Sequence, residues 1–358
     1  MVQYTVRRIL LAIPVMFAIV LVVFLLARAI PGSPCRAILG EKATVEACER
    51  FDQRFGLDRP VPVQLAIYVG NIVKGDFGDS IRFGRPITQM LAERLPLTVE
   101  LGVSAMFLAV LIGIPAGAIS ALRRNSPADV ATMVGANVGV SIPVFVLGLY
   151  LIYIFAVVLK GTPFALPPSG RLSPGIRPIP FYTVYNLVAD GEKAGLFTQF
   201  IANHYMFNAL ITGDFTLLWD AMKHMILPAL ALSTIPLSII ARMTRSSMLE
   251  VLELDYILTA KSKGLPERIV MVRHALRSAL LPIVTIIGLQ AAAILGGAIL
   301  TETIFGLTGI GKSLFEAITS RDFPVIQGFT IIIAAIYVVF NLIVDLSYAY
   351  FDPRIRLE

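Results

Sequence analysis

Few residues within the apolar stretches of this chain carry groups able to do chemistry, so each can be weighed on its own. Glu100, Glu302 and Asp345 stand at or near the ends of such stretches, and Arg28 stands at another. A charge is costly in hydrocarbon, so these groups are expected to reach toward headgroups or face a cavity, with snorkelling the default at an interface. Glu302 is singled out because it follows Gly296-Gly297 and precedes IFGLTGIGKSLFEAITSRDFP, a connection too apolar to float free. It is a candidate for contact with a solute or a gate. Asn137, Ser141, Thr285, Gln290 and Asn341, together with Pro143, are polar or helix-bending points at depth that either line a translocation path or bond across helices. His204, His224 and His274 are far apart in sequence and no Cys/His spacing suits a metal, so no metal site is expected. The two cysteines, Cys35 and Cys48, either form a disulfide or remain free thiols, and spacing alone leaves both open. No nucleophile is spaced with a base in a way that assigns a catalytic residue. Gly306-Leu307-Thr308-Gly309-Ile310-Gly311-Lys312-Ser313 has the spacing of a phosphate-binding loop, but it falls on the side expected to be external and is read as a chance match.

The elements that must position these residues follow from composition. With 358 residues, 56% of them hydrophobic, 15% charged, and a mean hydropathy of +0.79, the chain is too apolar for an ordinary soluble domain. It reads as an all-α polytopic membrane protein, because a spanning helix needs ~20 apolar residues and six stretches qualify or come close. They cover about residues 9–30, 98–122, 130–159, 225–247, 278–302 and 323–346. Prolines 14, 115, 143, 228, 236 and 282 fall within them and are tolerated where neighbouring helices satisfy the freed carbonyls. The third stretch is long enough to tilt, or to bend at Pro143. The first is longer than the apolar part of a signal peptide and five more follow, so it is expected to stay as a span.

Basic residues near span ends set orientation. Arg7-Arg8, Arg123-Arg124, the 242–277 cluster and Arg354 with Arg356 all fall on one side of a six-span arrangement, so both termini are expected in the cytoplasm. Residues 31–97 and the insertion 160–224 then form external loops, with a shorter one at 304–322, and 248–277 forms a cytoplasmic loop. The net charge of +6 is explained by this topology and not by nucleic-acid binding, since the basic residues are scattered and offset by acids. Gly113 and Gly117, Gly135 and Gly139, and Gly296-Gly297 are small residues at helix-packing spacing, suited to close backbone approach or to sliding.

The interval MLEVLELDYILTAKSKGLPERIVMVRHALRS, from Met248 to Ser278, interrupts this apolar background. Leu249, Leu252, Tyr256 and Ala260 fall near one face of a helix over Ser246–Lys263, while Glu250, Glu253, Asp255 and Lys261 fall mostly elsewhere. Gly264 and Pro266 stop that helix, and a second one runs from Pro266 to Arg277 into the next span. The product is a short rigid knob, a handle for a soluble partner. The alternative is an amphipathic helix resting on anionic headgroups through Lys261, Lys263, Arg268 and Arg273, which Glu250, Glu253, Asp255 and Glu267 oppose.

TAKSKG followed by HALRSALLP resembles the cytoplasmic loop of binding-protein-dependent ABC importer permeases. The resemblance extends along nearly the whole chain and points to the dipeptide and oligopeptide family, through Phe55-Gly56-Leu57-Asp58-Arg59-Pro60, Gly75-Asp76-Phe77-Gly78-Asp79-Ser80 and Arg94-Leu95-Pro96-Leu97-Thr98-Val99-Glu100-Leu101. His224-Met225-Ile226-Leu227-Pro228-Ala229, Ala241-Arg242-Met243-Thr244-Arg245-Ser246-Ser247-Met248, Glu302-Thr303-Ile304-Phe305 and Asp352-Pro353-Arg354-Ile355-Arg356 add to it. Departures are Leu258-Thr259-Ala260 for the broad Glu-Ala-Ala, Pro31-Gly32-Ser33-Pro34 for Pro-Gly-Asp-Pro, and Thr308-Gly309-Ile310-Gly311 for Pro-Gly-Leu-Gly.

The resemblance implies an ABC importer type I permease fold and one of two paired permease subunits. The expected partners are a homologous second permease, two ATP-binding subunits that carry ATP and magnesium, an external substrate-binding protein and the lipid bilayer of a bacterial inner membrane. It implies no enzyme activity and no cofactor in this chain. Glu253, Asp255, Tyr256, Thr259, Ala260, Lys261, Lys263 and Gly264 are then the residues expected to couple to the ATPase. The substrate expected is a dipeptide or short oligopeptide, with a nickel chelate, haem or glutathione as alternatives within the same architecture. A channel or secondary carrier that works without ATPases is the contrasting class, and a carrier of that kind would be expected to place carboxylates near mid-membrane. The 160–224 insertion is expected either to help dock the binding protein or to pack as a lid on its own bundle.

Overall fold

A computed structural model describes residues 2–29, 35–36, 40, 43–189, 192 and 194–351, and among these it is helical with no strand. Long apolar runs impose this outcome, since a lipid-embedded backbone must satisfy its own polar groups. The order is α1 (Val2–Ala29), α2 (Val45–Phe55), α3 (Val61–Val73), α4 (Ile87–Leu122), α5 (Pro127–Ser141) and α6 (Val144–Ile152, continuing as a π-helix Tyr153–Val158). Short helices α7 (Phe181–Val184), α8 (Leu196–Ala202) and α9 (Tyr205–Thr212) lead into α10 (Phe215–Leu252). The last four are α11 (Asp255–Ser262), α12 (Glu267–Ile269, π-helical Val270–Leu276 and Arg277–Ile304 in one run), α13 (Ile310–Ser320) and α14 (Phe323–Phe351).

Among the described residues five helices are long and apolar enough to cross a membrane. The pair Pro127–Ser141 and Val144–Val158, bent by 101°, makes a sixth if counted as one span. The stretch expected at 130–159 is therefore a broken helix. Ile142 adopts an extended backbone, as residues before proline do, and Pro143 opens α6, where its missing N–H costs nothing. The helix expected from 98 begins at Ile87, and the one expected from 225 begins at Phe215. In both cases helix continues beyond the apolar window.

Packing centres on α10, which lies against α4 over most of its length and also against α12, α5 and α6. Gly117 marks the closest approach: a Cβ there would overlap the Ala241 carbonyl and reach within 2.7 Å of Thr244 Cβ. Gly113 and Gly139 likewise abut α10, whereas Gly135 and Gly296 have open space where a Cβ would stand. Simple packing accounts for three of the small residues only, and the surroundings of Gly297 lie outside the described residues. Pro31-Gly32-Ser33-Pro34, Asp352-Pro353-Arg354-Ile355-Arg356 and the side chain of Arg28 also lie outside them. The structure joins Cys35 to Cys48, with Cα atoms 5.4 Å apart.

Candidate functional site

The charged interval folds differently from a helix over Ser246–Lys263. α10 runs on to Leu252 and stops at Glu253, and a new helix, α11, starts at Asp255. Leu249, Leu252 and Ala260 lie on the buried side as expected, but after the break Ile257 (0% exposed) joins them in place of Tyr256, which is exposed and whose hydroxyl donates to Ser278 Oγ at 2.7 Å. Ile257 and Ala260 sit on Met248 from α10, Ala121 from α4, and Val270, Ala275, Ala279 and Ile283 from α12. Burying Ile257 contributes about 1.5–3 kcal/mol to this seat. Ala260, expected among the coupling residues, is thus a buried foot of α11.

The opposite face is open: Asp255, Leu258, Thr259, Lys261, Ser262 and Lys263 are exposed, and Thr259 Oγ1 returns a hydrogen bond to Asp255 O at 2.9 Å. Gly264 ends the helix at φ 74°, where its N–H donates to Lys261 O (2.9 Å) and the Leu265 N–H donates to Ala260 O (3.4 Å). This left-handed stop is what glycine allows without steric cost. A Cβ at 264 would meet nothing within 4 Å, so the requirement is conformational and not spatial. Glu253 pairs at 3.6 Å with Arg124 of the α4–α5 turn, both well exposed.

At the other end of α12 two of the acids expected at headgroups, Glu302 and Glu100, are enclosed instead. Glu302 is 0% exposed: the Thr98 hydroxyl donates to its Oε1 at 2.6 Å and the Lys312 N–H donates to its Oε2 at 2.8 Å. Thr98 in turn accepts from the Ile310 N–H at 2.9 Å. A Cβ at Gly309 would overlap this carboxylate, and one at Gly311 would stand 2.8 Å from Ile299 Cα. The Gly309–Ser313 stretch is thus the start of α13 clasped by Glu302. Glu302 is closed off from solvent in this conformation. Glu100 (7% exposed) accepts from Arg171 Nη2 at 2.7 Å and from the Met206 N–H at 2.8 Å, and Asp345 pairs with Arg8 at 3.0 Å. Snorkelling is replaced by pairing because each carboxylate meets donors supplied by distant segments.

The path candidates are not brought together. Asn137, Ser141 and Pro143 are exposed at the α5–α6 break, where the Ser141 hydroxyl bonds back to Asn137 O at 2.8 Å. Thr285 and Gln290 are half-buried on α12, with the Thr285 hydroxyl bonded to Leu281 O, and Asn341 lines a groove between α1 and α14. The structure also holds polar links that sequence reasoning missed. Asp129 receives Arg245 through Nε and Nη2 at 2.7 and 2.8 Å, together with the Ser120 hydroxyl and the Asn125 N–H. Asp322 takes Ser80 Oγ at 2.5 Å and the N–H groups of Ile81 and Arg82. Only the first had a local signal, Ser126-Pro127 followed by Asp129, which caps α5.

The 160–224 insertion is tied to its own bundle. Arg171 holds Glu100, Ser173 donates to Asp220 through N–H and hydroxyl at 2.7 Å each, and the Gly170 N–H donates to Phe305 O.

Comparison with known proteins identifies the family to which this arrangement belongs. The family model for the binding-protein-dependent transport system inner membrane component matches residues 113–357, and that for the N-terminal part of such components matches residues 1–102. The chain belongs to this permease family. It is 45% identical over 356 residues to the dipeptide transport system permease protein DppB of Alkalihalophilus pseudofirmus, covering 99% of this chain and 100% of the relative. Identity is 41% to the di/tripeptide permease DppB of Pseudomonas aeruginosa and 40% to the dipeptide permease DppB of Escherichia coli, each over 362 residues and 99% of both chains. In this permease the exposed face of α11, with the turn at 264–266, is left open by its own chain.

Proposed function

We propose that this chain is the membrane-spanning permease subunit of an ATP-driven importer of dipeptides or short oligopeptides. The observation that carries the reading is α11, seated on the bundle by Ile257 and Ala260 with its other face exposed and ended by Gly264, in a chain that matches dipeptide permeases along its whole length. A homologous permease completes the path, two ATP-binding subunits carry ATP and magnesium, and a binding protein delivers peptide from outside. The termini and α11 face the cytoplasm.

Linkage supplies the mechanism. ATP binds the closed ATPase pair more tightly than the open one, the grooves of that pair hold the exposed face of α11, and the bundle follows. Because Ile257 and Ala260 of α11 share one buried cluster with side chains of α4, α10 and α12, a push on α11 reaches the bundle. Lys261, Lys263, Asp255 and Thr259 are the contacts, with Glu253 at the edge. The test is uptake of a labelled dipeptide by vesicles holding the reconstituted complex, with binding protein present. Uptake is expected only with ATP and both ATPase subunits, and uptake without them defeats the reading.

A further inference from the structure

We propose that a notch beside Trp219 holds the phosphate headgroup of a phospholipid, placing the α9–α10 turn in the membrane interface. The notch, about 340 Å³, is lined by Ile176, Phe215, Thr216, Trp219, Asp220 and Lys223. Its depth is set by the continuity of α10. Met225–Ala241 is the part of α10 free of Asp, Glu, Lys and Arg; its 17 residues span about 25 Å at 1.5 Å per residue, close to the hydrocarbon thickness of ~30 Å. Trp219 lies six residues outward, about 9 Å beyond Met225 on the same rigid helix, which is headgroup depth.

The exposed surface fits that depth. Phe215 (75% exposed), Trp219 (60%) and Met222 fall on one face of α10, and Phe207 and Leu210 are exposed on α9 just across the Gly213-Asp214 turn. Aromatic rings with a polar edge settle at such an interface, and a lysine beside them extends its ammonium toward phosphate. Asp220 is committed to Ser173, so Lys223, 3.9 Å from it, is only loosely held, and the Thr216 hydroxyl adds a second donor. The insertion is then anchored to lipid as well as to its own bundle. This inference rests on the membrane embedding of α10 and not on the transported substrate.

Trp219 is the single tryptophan of the chain, which makes the test direct. The intact complex and its Trp219→Phe variant are reconstituted in phosphatidylcholine–phosphatidylglycerol vesicles, and the difference in their emission isolates Trp219. Lipids brominated near the headgroup are expected to quench it about twofold more than lipids brominated near the chain end. Raising the phosphatidylglycerol fraction is expected to shift its emission, and Lys223→Glu is expected to remove that shift. Quenching by aqueous iodide with none by either brominated lipid overturns the proposal. So does lipid quenching that disappears when binding protein is added, or an emission shift that survives in Lys223→Glu.

Discussion

The two ends of α12 are built on opposite plans. At the Gly264 end, α11 stands on two buried side chains, Ile257 and Ala260, and its polar groups mostly bond within their own turn or face outward. At the Glu302 end, Glu302, Thr98, Ile310 and Lys312 form a closed set of hydrogen bonds between segments more than 200 residues apart, and glycines 309 and 311 leave the room it needs. A surface meant for a partner must keep its polar groups available, whereas buried groups must satisfy one another. The difference teaches which end leaves polar groups open to another molecule and which end satisfies them within the bundle.

The comparison breaks most visibly at Glu302. Glu302→Ala orphans the Thr98 hydroxyl and the Lys312 N–H, at roughly 1–3 kcal/mol for each group. A clear drop in the melting temperature of the purified complex is expected. Glu302→Gln, which can still donate to Thr98 and accept from Lys312, is expected to lose less, and equal losses would remove the hydrogen-bond account. Next is Gly311→Ala, whose methyl would press on Ile299 backbone atoms 2.8 and 2.9 Å away and cost roughly 1–3 kcal/mol. Reduced assembled protein on a gel-filtration trace is the readout, and a wild-type yield counts against the close approach.

The smallest stability effect is expected at the other end. Gly264→Val strains a left-handed residue by about 1–2 kcal/mol yet meets no neighbour. Insertion should be retained while the ATP hydrolysed per peptide transported rises. Gly264→Asn, which tolerates that backbone, should sit between valine and wild type. Identical coupling in all three would separate α11 from the ATPase.

Much of the fold was legible because its signals are local. Six apolar runs, the stop at Gly264-Leu265-Pro266 and the bend at Pro143 each depend on a residue's own backbone or on its immediate window. Of the expected apolar face, Leu249, Leu252 and Ala260 pack into one cluster, and Tyr256 departs from it because the helix breaks at Glu253 and Leu254. Ile257 takes the buried place instead, and Tyr256 stands beside α11. The helix starts at Ile87 and Phe215 were missed since an apolar window marks where lipid begins, while helix continues wherever polar side chains find partners. Arg94, for example, donates to Ser313, and Asp220 receives Ser173.

The sequence by itself determined the class of protein, the number of apolar stretches and the glycine that ends α11, since bilayer thickness and the steric freedom of one residue act within a few turns of chain. Only the tertiary structure decided where the carboxylates go. Glu302 finds Thr98, Glu100 finds Arg171 and Asp129 finds Arg245 across 204, 71 and 116 positions of sequence. A charge in a low-dielectric interior is held by whichever donor packing brings within reach, and that choice is made by the whole bundle at once.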